Sequence, residues 1–448
     1  MKKKSNVVAT TKLGAKLWIN IIIFGLIGQI AWTVENMYFS KFMQNNIESE
    51  PYATTWMVTL SAIFATSATL IGGALCDRIG KRKPLVCFGY ILWGFSTMAF
   101  ALLPIDFDAG VKIKLVITVI IMDCVMSFIG ATANDAAFNT WITDISDTTN
   151  RGKIDVVLSI MPVASMVILF VGLDSLTGEG GNWKLFFTVL GLVPIAGGLL
   201  GLAMLKDSPN VRKADTSNYW GNVFYSFKPS VVKSNKMLYV CLAGSLFSGA
   251  SIQVYISYLI NFVEKTLGIT DYVIPLGTIV LASAVFSVFM GSLMDKYGKE
   301  KFYYPIIALN IIGAIVIFCI KFVIGQTAPM IAIIIIGGIA VMGAALVTGG
   351  LFLASFRDYI PKGYEGSFQG MRMFMFVLVP MIIGPAVGQF IIETVNLRTV
   401  DGTILYPPEL FLGGAAMVAL AFVPAYFVKK NDAKIRAALI EQRDRAQK

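Results

Sequence analysis

The chain has 448 residues, of which 56% are hydrophobic and only 14% charged, with a mean hydropathy of +0.72. A soluble domain carries about 25% charged residues, so the composition excludes a soluble globular enzyme and a disulfide-rich secreted scaffold, and it asks for lipid as part of the solvent. The net charge of +10 would suit a nucleic-acid partner, yet the basic residues are sorted along the chain in a way that fits a membrane side instead.

A bilayer crossing takes about 20 mostly apolar residues. Twelve stretches qualify: 18–42, 54–76, 84–104, 114–142, 154–173, 184–205, 237–262, 273–294, 302–324, 330–356, 367–393 and 409–428. The first is too long for a cleaved signal peptide, contains Glu35, and lacks a small-residue cleavage site after it. It places Gln29, Trp32 and Asn36 at i, i+3 and i+7, with Glu35 beside them. A carboxylate at the bilayer centre costs about 3 kcal/mol on insertion scales, and a water-filled cleft would offset that cost. Span 4 repeats the pattern with Asp123, Ser127, Ala131 and Asp135 at successive i+4 positions, flanked by Asn134 and Asn139. Span 7 offers Gln253, Tyr255, Tyr258 and Asn261, span 10 offers Thr348, and span 11 offers Gln369 and Arg372. Gly349, Gly350, Pro162, Pro194, Pro380 and Pro385 lie inside spans, where such residues permit kinks and close crossings.

The connections fix an expected orientation. Segments 1–17, 77–83, 143–153, 206–236, 295–301, 357–366 and 429–448 hold 29 of the 37 Lys and Arg residues, and the opposite-side loops hold almost none. Both termini are expected in the cytoplasm of a cell-membrane protein, and the basic charge marks that side rather than a nucleic-acid surface. The tail 429–448 reads as a short interfacial helix or a solvated segment. Residues 206–236 are long, polar and basic, and divide the spans six and six. The expected organisation is therefore an N-terminal six-helix bundle, 1–205, a cytoplasmic linker, 206–236, a C-terminal six-helix bundle, 237–428, and the tail.

The halves also repeat. Gly73, Asp77 and Gly80 after span 2 match Gly291, Asp295 and Gly298 after span 8 at an offset of 218 residues. Asp144 and Gly152 match Asp358 and Gly366 at 214, and Tyr38 and Phe42 match Tyr258 and Phe262 at 220. Two related halves are the pattern of a transporter with a parallel repeat. The run Gly73-Ala-Leu-Cys-Asp77-Arg78-Ile-Gly80-Lys81-Arg82-Lys83, with its weaker copy at 291–301, resembles the signature loop of the major facilitator superfamily. The resemblance implies twelve helices in two six-helix bundles related by a pseudo-two-fold axis. It assigns a cytoplasmic gating role to Asp77, Arg78, Asp144, Asp295 and Lys296. On the residues alone, Lys81, Arg82 and Lys83 are topology anchors, and Asp77 suits a cap for span 3.

Asn134-Asp135-Ala-Ala-Phe138-Asn139, followed by Asn150-Arg151-Gly152-Lys153, resembles the melibiose-permease-like glycoside–pentoside–hexuronide:cation symporters. In that group an Asp of span 4, followed three residues later by an aromatic, takes part in sugar binding, and Asp135 with Phe138 matches. Sodium-using members carry two Asp residues in span 2, whereas this chain has SAIFATSATLIGGAL there. The departure favours H⁺ over Na⁺. Histidine, the usual proton shuttle, is absent, so coupling falls to Glu35, Asp123 and Asp135. Sugar recognition needs hydroxyl partners and an aromatic face, for which Gln29, Trp32, Asn36, Asn134, Asp135, Asn139, Gln253 and Tyr258 are the candidates. The five cysteines lack metal-ligand spacing. No metal or cofactor is expected, and no P-loop or metalloprotease motif suggests an enzyme. The expected molecule is a monomeric secondary active transporter that imports a glycoside by cation symport. The alternative is a proton-coupled exporter of drugs or small metabolites.

Overall fold

A computed structural model describes residues 14–104, 107–146, 151–178, 181–207, 221, 224–361 and 365–447. Within that range the side chains of 77, 109, 151–153, 155, 156, 159, 295, 365–367, 369 and 435–447 fall outside the description. The linker is therefore seen only at its two ends, and the expected roles of Asp77 and Asp295 rest on side chains outside the described set.

The described chain is helical, with a single isolated bridge between Arg398 and Ile404 and no strand. Eleven segments are long and apolar enough to cross a membrane: α1 (Ala15–Ile47), α2 (Pro51–Cys76), α3 (Lys83–Leu102), α4 (Lys112–Ile145), α6 (Trp183–Met204), α7 (Lys236–Thr266), α8 (Val273–Met294), α9 (Tyr303–Phe322), α10 (Thr327–Tyr359), α11 (Gly370–Val395) and α12 (Glu409–Lys434). The twelfth expected span is α5 (Arg151–Gly172), whose described apolar part is the shorter stretch Ile160–Gly172. The final helix continues from Phe422 to Gln447, so the tail prolongs α12.

Helix ends follow local chemistry. Asn182 caps α6 by accepting from the Leu185 backbone N–H at 2.9 Å. Asp207 caps α3, its Oδ1 accepting from the backbone N–H groups of Arg82 and Lys83 at 2.8 Å each. Asp207 belongs to the start of the linker, and the cap expected of Asp77 falls on a side chain outside the described residues. Gly80 (φ 65°) and Gly298 (φ 92°) turn the chain left-handed after α2 and α8, a conformation that suits glycine. Their N–H groups donate to the carbonyls of Cys76 and Met294, positions that again differ by 218.

Contacts group the chain into two compact units. The first holds Met1–Val34, Phe64–Asp106 and Ile121–Ser217; the second holds Glu35–Ile63, Phe107–Ile120 and Asn218–Lys448. In the first, α3 and α6 cross on glycine. A Cβ at Gly191 would lie 2.5 Å from the Gly94 carbonyl, and one at Gly198 would lie 2.5 Å from the Cys87 carbonyl. Gly349 and Gly350 do not mark a crossing: a Cβ at either would meet nothing within 4 Å, and α10 runs through them as one helix. In the second unit the core is a cluster around Tyr303, Leu351, Phe352 and Phe368.

Candidate functional site

The polar residues picked out on α1 and α4 sit on backbone that departs from α-helix. Glu35 and Asn36 lie on a π-helical stretch, Val34–Phe39, and Asn134 and Asp135 lie on another, Ala131–Phe138. Span α7 loses its helix immediately after Gln253, passes through a 3₁₀ turn at Ile256–Tyr258, and ends in π-helix at Phe262–Thr266. Span α11 has a π-helical stretch at Phe374–Leu378. Such wide turns re-aim side chains and free backbone groups, and they occur frequently at functional sites.

In the first unit the wide turn of α4 is held by three glycines. A Cβ on Gly28 of α1 would overlap Asn134 Oδ1, one on Gly72 of α2 would lie 2.9 Å from Ala136 Cβ, and one on Gly89 of α3 2.6 Å from Ala133 Cβ. Tyr90 of α3 has its hydroxyl 2.8 Å from Asn134 Oδ1 and 2.9 Å from the Phe24 carbonyl. The Asn134 amide donates to Asp135 Oδ1 at 3.0 Å. Tyr90 is fully buried and Asn134 is 5% exposed, whereas Asp135 is only half-buried. The aromatic neighbourhood is Trp32, Trp93 and Tyr90: the indoles lie 5.7 Å apart between centroids, and Trp93 lies 5.7 Å from Tyr90. Phe138, the aromatic matched to the sugar-binding pattern, is buried between Phe24 and Trp141. Asn139 is exposed, and its amide turns back to donate to the Asp135 carbonyl at 3.2 Å. Asp123 is 1% exposed and Ser127 is fully buried, so the stripe they form with Asp135 runs inside the protein before it reaches the half-buried turn. Gln29 and Trp32 are half-buried in this unit.

In the second unit Glu35 is 4% exposed and Asn36 is half-buried. The break in α7 rests on α11 and α12, where Gly384, Gly388 and Gly414 bring their helices against Gln253, Val254 and Ser251. Gln253 is half-buried, and its Oε1 is buried with no hydrogen-bond donor among the described residues. Tyr258 is fully enclosed and stacks on Tyr406 at 5.6 Å, with its hydroxyl 3.5 Å from Thr55. A polar cluster lies nearby. Lys41, only 1% exposed, pairs with Glu264 at 2.9 Å and donates to the Tyr272 hydroxyl at 2.6 Å. Asn261 donates to Gln44 Oε1 at 2.7 Å, and Gln44 donates to the Ser257 carbonyl at 3.1 Å.

The expected gate residues divide. Asp144 is bound by Arg82 at 2.9 Å, and Arg82 also donates to the Cys76 carbonyl. Arg78 and Lys296 are exposed. In the second unit Asp358 is bound by Lys299 at 2.5 Å. Lys299 also lies 3.4 Å from Asp432, a 4%-exposed carboxylate that accepts from Ser355 at 2.7 Å, from Tyr303 at 3.2 Å and from Tyr359.

The family model described as Major Facilitator Superfamily matches residues 17–385. The chain belongs to the major facilitator superfamily. Among solved structures, this superfamily transporter is similar to a point mutant of the nucleoside transporter NupG, with a TM-score of 0.66 at 14% identity over 92% of this chain and 98% of that one. It is also similar to a D-xylose–proton symporter, with a TM-score of 0.64 at 15% identity over 92% and 97%. A bacterial homologue of the human lysosomal transporter Spinster, inward-facing and unoccupied, gives 0.68 at 16% identity over 93% and 96%. No curated protein sequence matches the chain. At these identities the likeness concerns the fold.

Sequence reasoning missed several of the transporter's polar contacts. Lys41 lies inside an apolar run and was legible as an anomaly, but only folding shows Glu264 beside it. Tyr90, Trp93 and Gly28 carry no signal in a single sequence, since aromatics and glycines are common in every span.

Proposed function

We propose that this transporter imports a glycoside, a di- or oligosaccharide, by symport with H⁺ through alternating access, in the manner of the glycoside–pentoside–hexuronide:cation group. Asp135 takes up the proton, with Glu35 and Asp123 as further coupling carboxylates. Gln29, Trp32, Asn36, Asn134 and Gln253 supply hydroxyl partners and an aromatic face. The halves 1–205 and 237–428, joined by 206–236, are the moving bodies. The pairs Arg82–Asp144 and Lys299–Asp358 tie the cytoplasmic ends of spans, and Lys41–Glu264 ties the outer ends of α1 and α7. The protein works as a monomer in the cell membrane with both termini in the cytoplasm.

The observation that carries this reading is the setting of Asp135. A half-buried carboxylate sits on a wide helical turn, bonded by an amide that leads through Tyr90 to paired indoles. A sugar needs the same combination of acceptor, amide and ring face. The energetics allow it: one charge crossing 100 mV supplies about 2.3 kcal/mol, roughly fifty-fold accumulation of a neutral solute.

The test is uptake of radiolabelled disaccharides into proteoliposomes with and without an inwardly directed pH gradient. Accumulation is expected only with the gradient, and Asp135→Asn is expected to abolish it while the protein remains folded. Normal accumulation in Asp135→Asn removes that residue from the mechanism. Uptake of apolar compounds against an outwardly directed proton flux, with no disaccharide uptake, would favour the exporter reading.

A further inference from the structure

The contacts around Asn134 admit two hydrogen-bond arrangements, and they differ by one proton on Asp135. The Tyr90 hydroxyl carries a single hydrogen but faces two acceptors, Asn134 Oδ1 at 2.8 Å and the Phe24 carbonyl at 2.9 Å. The two ends of a carboxamide have nearly the same shape, so Asn134 can turn about its Cβ–Cγ axis in place. With Asp135 ionised, the Asn134 N–H donates to the carboxylate and the Tyr90 O–H donates to Asn134 Oδ1. With Asp135 protonated, its O–H donates to Asn134 Oδ1, the amide N–H now donates to Tyr90 Oη, and the Tyr90 O–H donates to the Phe24 carbonyl. Both arrangements satisfy every member, which burial requires of a polar chain. With Asp135 ionised, the turned amide would set two acceptors against each other; protonation supplies the donor that the turned arrangement needs.

We propose that Tyr90 and Asn134 form a reversible hydrogen-bond relay that reports the protonation of Asp135 on α4 to the backbone of α1. The proposal rests on the reading of Asp135 as the coupling carboxylate. One proton adds to one carboxylate oxygen; no other covalent bond forms or breaks, two hydrogen bonds reverse direction, and the Tyr90 O–H turns from Asn134 to the Phe24 carbonyl. The far end is a carbonyl one turn before Gly28, the residue whose missing side chain gives Asn134 its room. Trp32 follows one turn later on the same helix. Protonation thus adds a bond from α3 to α1, close to the aromatic pair that would face the sugar. Tyr90 is a positioning residue in this scheme.

Among the described residues, the ionisable groups on the elements around Asp135 in this unit are Lys16 on α1, Cys76 and Arg78 at the end of α2, Lys83, Cys87 and Tyr90 on α3, and Asp123, Cys124 and Asp144 on α4. Tyr90 belongs to the relay. Lys16, Arg78 and Lys83 lie at span ends. Asp144 is nine residues and Asp123 twelve residues along α4 from Asp135, roughly 14 and 18 Å by helical rise.

Difference infrared spectroscopy across a pH titration tests the relay with the proton as its own probe. Isotope labelling of tyrosine identifies the phenol band, and the Tyr90→Phe difference assigns it to Tyr90. The expected result is a Tyr90 signal that changes from donor-only to donor-and-acceptor in step with the carboxyl band of Asp135, and that is frozen in Asp135→Asn. In proteoliposomes, Tyr90→Phe is expected to keep equilibrium exchange of a radiolabelled disaccharide. Its gradient-driven accumulation is expected to fall about tenfold, the scale of one hydrogen bond. A carboxyl band that titrates while the Tyr90 band stays still, or a Tyr90→Phe protein that accumulates as well as it exchanges, overturns the relay alone. Normal accumulation in Asp135→Asn overturns the coupling reading and the relay with it.

Discussion

Breaking the buried pair between Lys41 and Glu264 is expected to destabilise the protein in a way that removing both charges does not. The ammonium and carboxylate are 2.9 Å apart, with side-chain exposures of 1% and 15%. At an effective dielectric of about 20 their attraction is about 6 kcal/mol. Desolvation consumes several kcal/mol for each ion, so the net value of the intact pair is small. The cost of removing one partner is not small, because the survivor stays buried: about 3–5 kcal/mol. Glu264→Gln should sit at the upper end, since Lys41 is sealed; its bond to the Tyr272 hydroxyl at 2.6 Å softens the loss. Lys41→Met should sit at the lower end, since Glu264 retains some contact with water. The double variant Lys41→Met/Glu264→Gln should recover at least about 2 kcal/mol relative to the sum of the singles, a coupling within the range for contacting residues. Equilibrium unfolding in mixed micelles, titrated with a denaturing detergent, measures all four proteins. Additive losses, with the double variant as unstable as the two singles combined, would refute the reasoning.

Other perturbations follow the same logic. Gly191→Ala drives a methyl into Met98 Cγ and sets it 2.5 Å from the Gly94 carbonyl; overpacking of this kind costs about 1–3 kcal/mol, and a lowered thermal midpoint in detergent checks it. Gly277→Ala, where a Cβ meets nothing within 4 Å, is the matched control and should leave the midpoint unchanged. Asp432→Ala strips the acceptor from three hydroxyls and leaves Lys299 with Asp358 alone. A loss of about 3 kcal/mol is expected, and Asp432→Asn should restore part of it in the same unfolding assay.

The membrane architecture was legible because its signal is averaged over long stretches. Twenty apolar residues outweigh any local ambiguity, and each expected span from 18–42 to 409–428 has a helical counterpart. The candidate site was legible at coarser grain. Glu35 and Asp135 stood out because a carboxylate in an apolar run is costly, and both prove to lie on π-helical turns. The turns themselves left no trace, since a wide turn is set by which side chains and carbonyls neighbouring helices present. Phe138 shows the limit most clearly. Its spacing from Asp135 matched a sugar-binding pattern, but the widened turn takes it into the packing against Phe24 and Trp141. Trp32 pairs with Trp93, and Trp93 meets Tyr90, whose hydroxyl reaches Asn134; these residues lie on separate spans and only folding joins them.

The internal repeat illustrates why backbone and side-chain equivalence separate. Gly80 and Gly298 both adopt positive φ, and each N–H bonds the carbonyl four residues back; the repeat therefore encodes the same turn twice. Asp144 and Asp358 likewise each hold a cation from the turn in their own half. The cation is not at the same register. Lys299 corresponds to Lys81, whereas Asp144 is held by Arg82. A guanidinium offers a fork of donors, and Arg82 uses it to reach the Cys76 carbonyl as well as the carboxylate. Lysine is a single charged point, and Lys299 uses it to sit near two carboxylates, Asp358 and Asp432. The second carboxylate comes from the last turn of α12, beyond the matched positions of the two halves. What the two halves share is the glycine that turns the chain and the acid that holds a cation; which basic residue answers depends on what else each half has placed within reach.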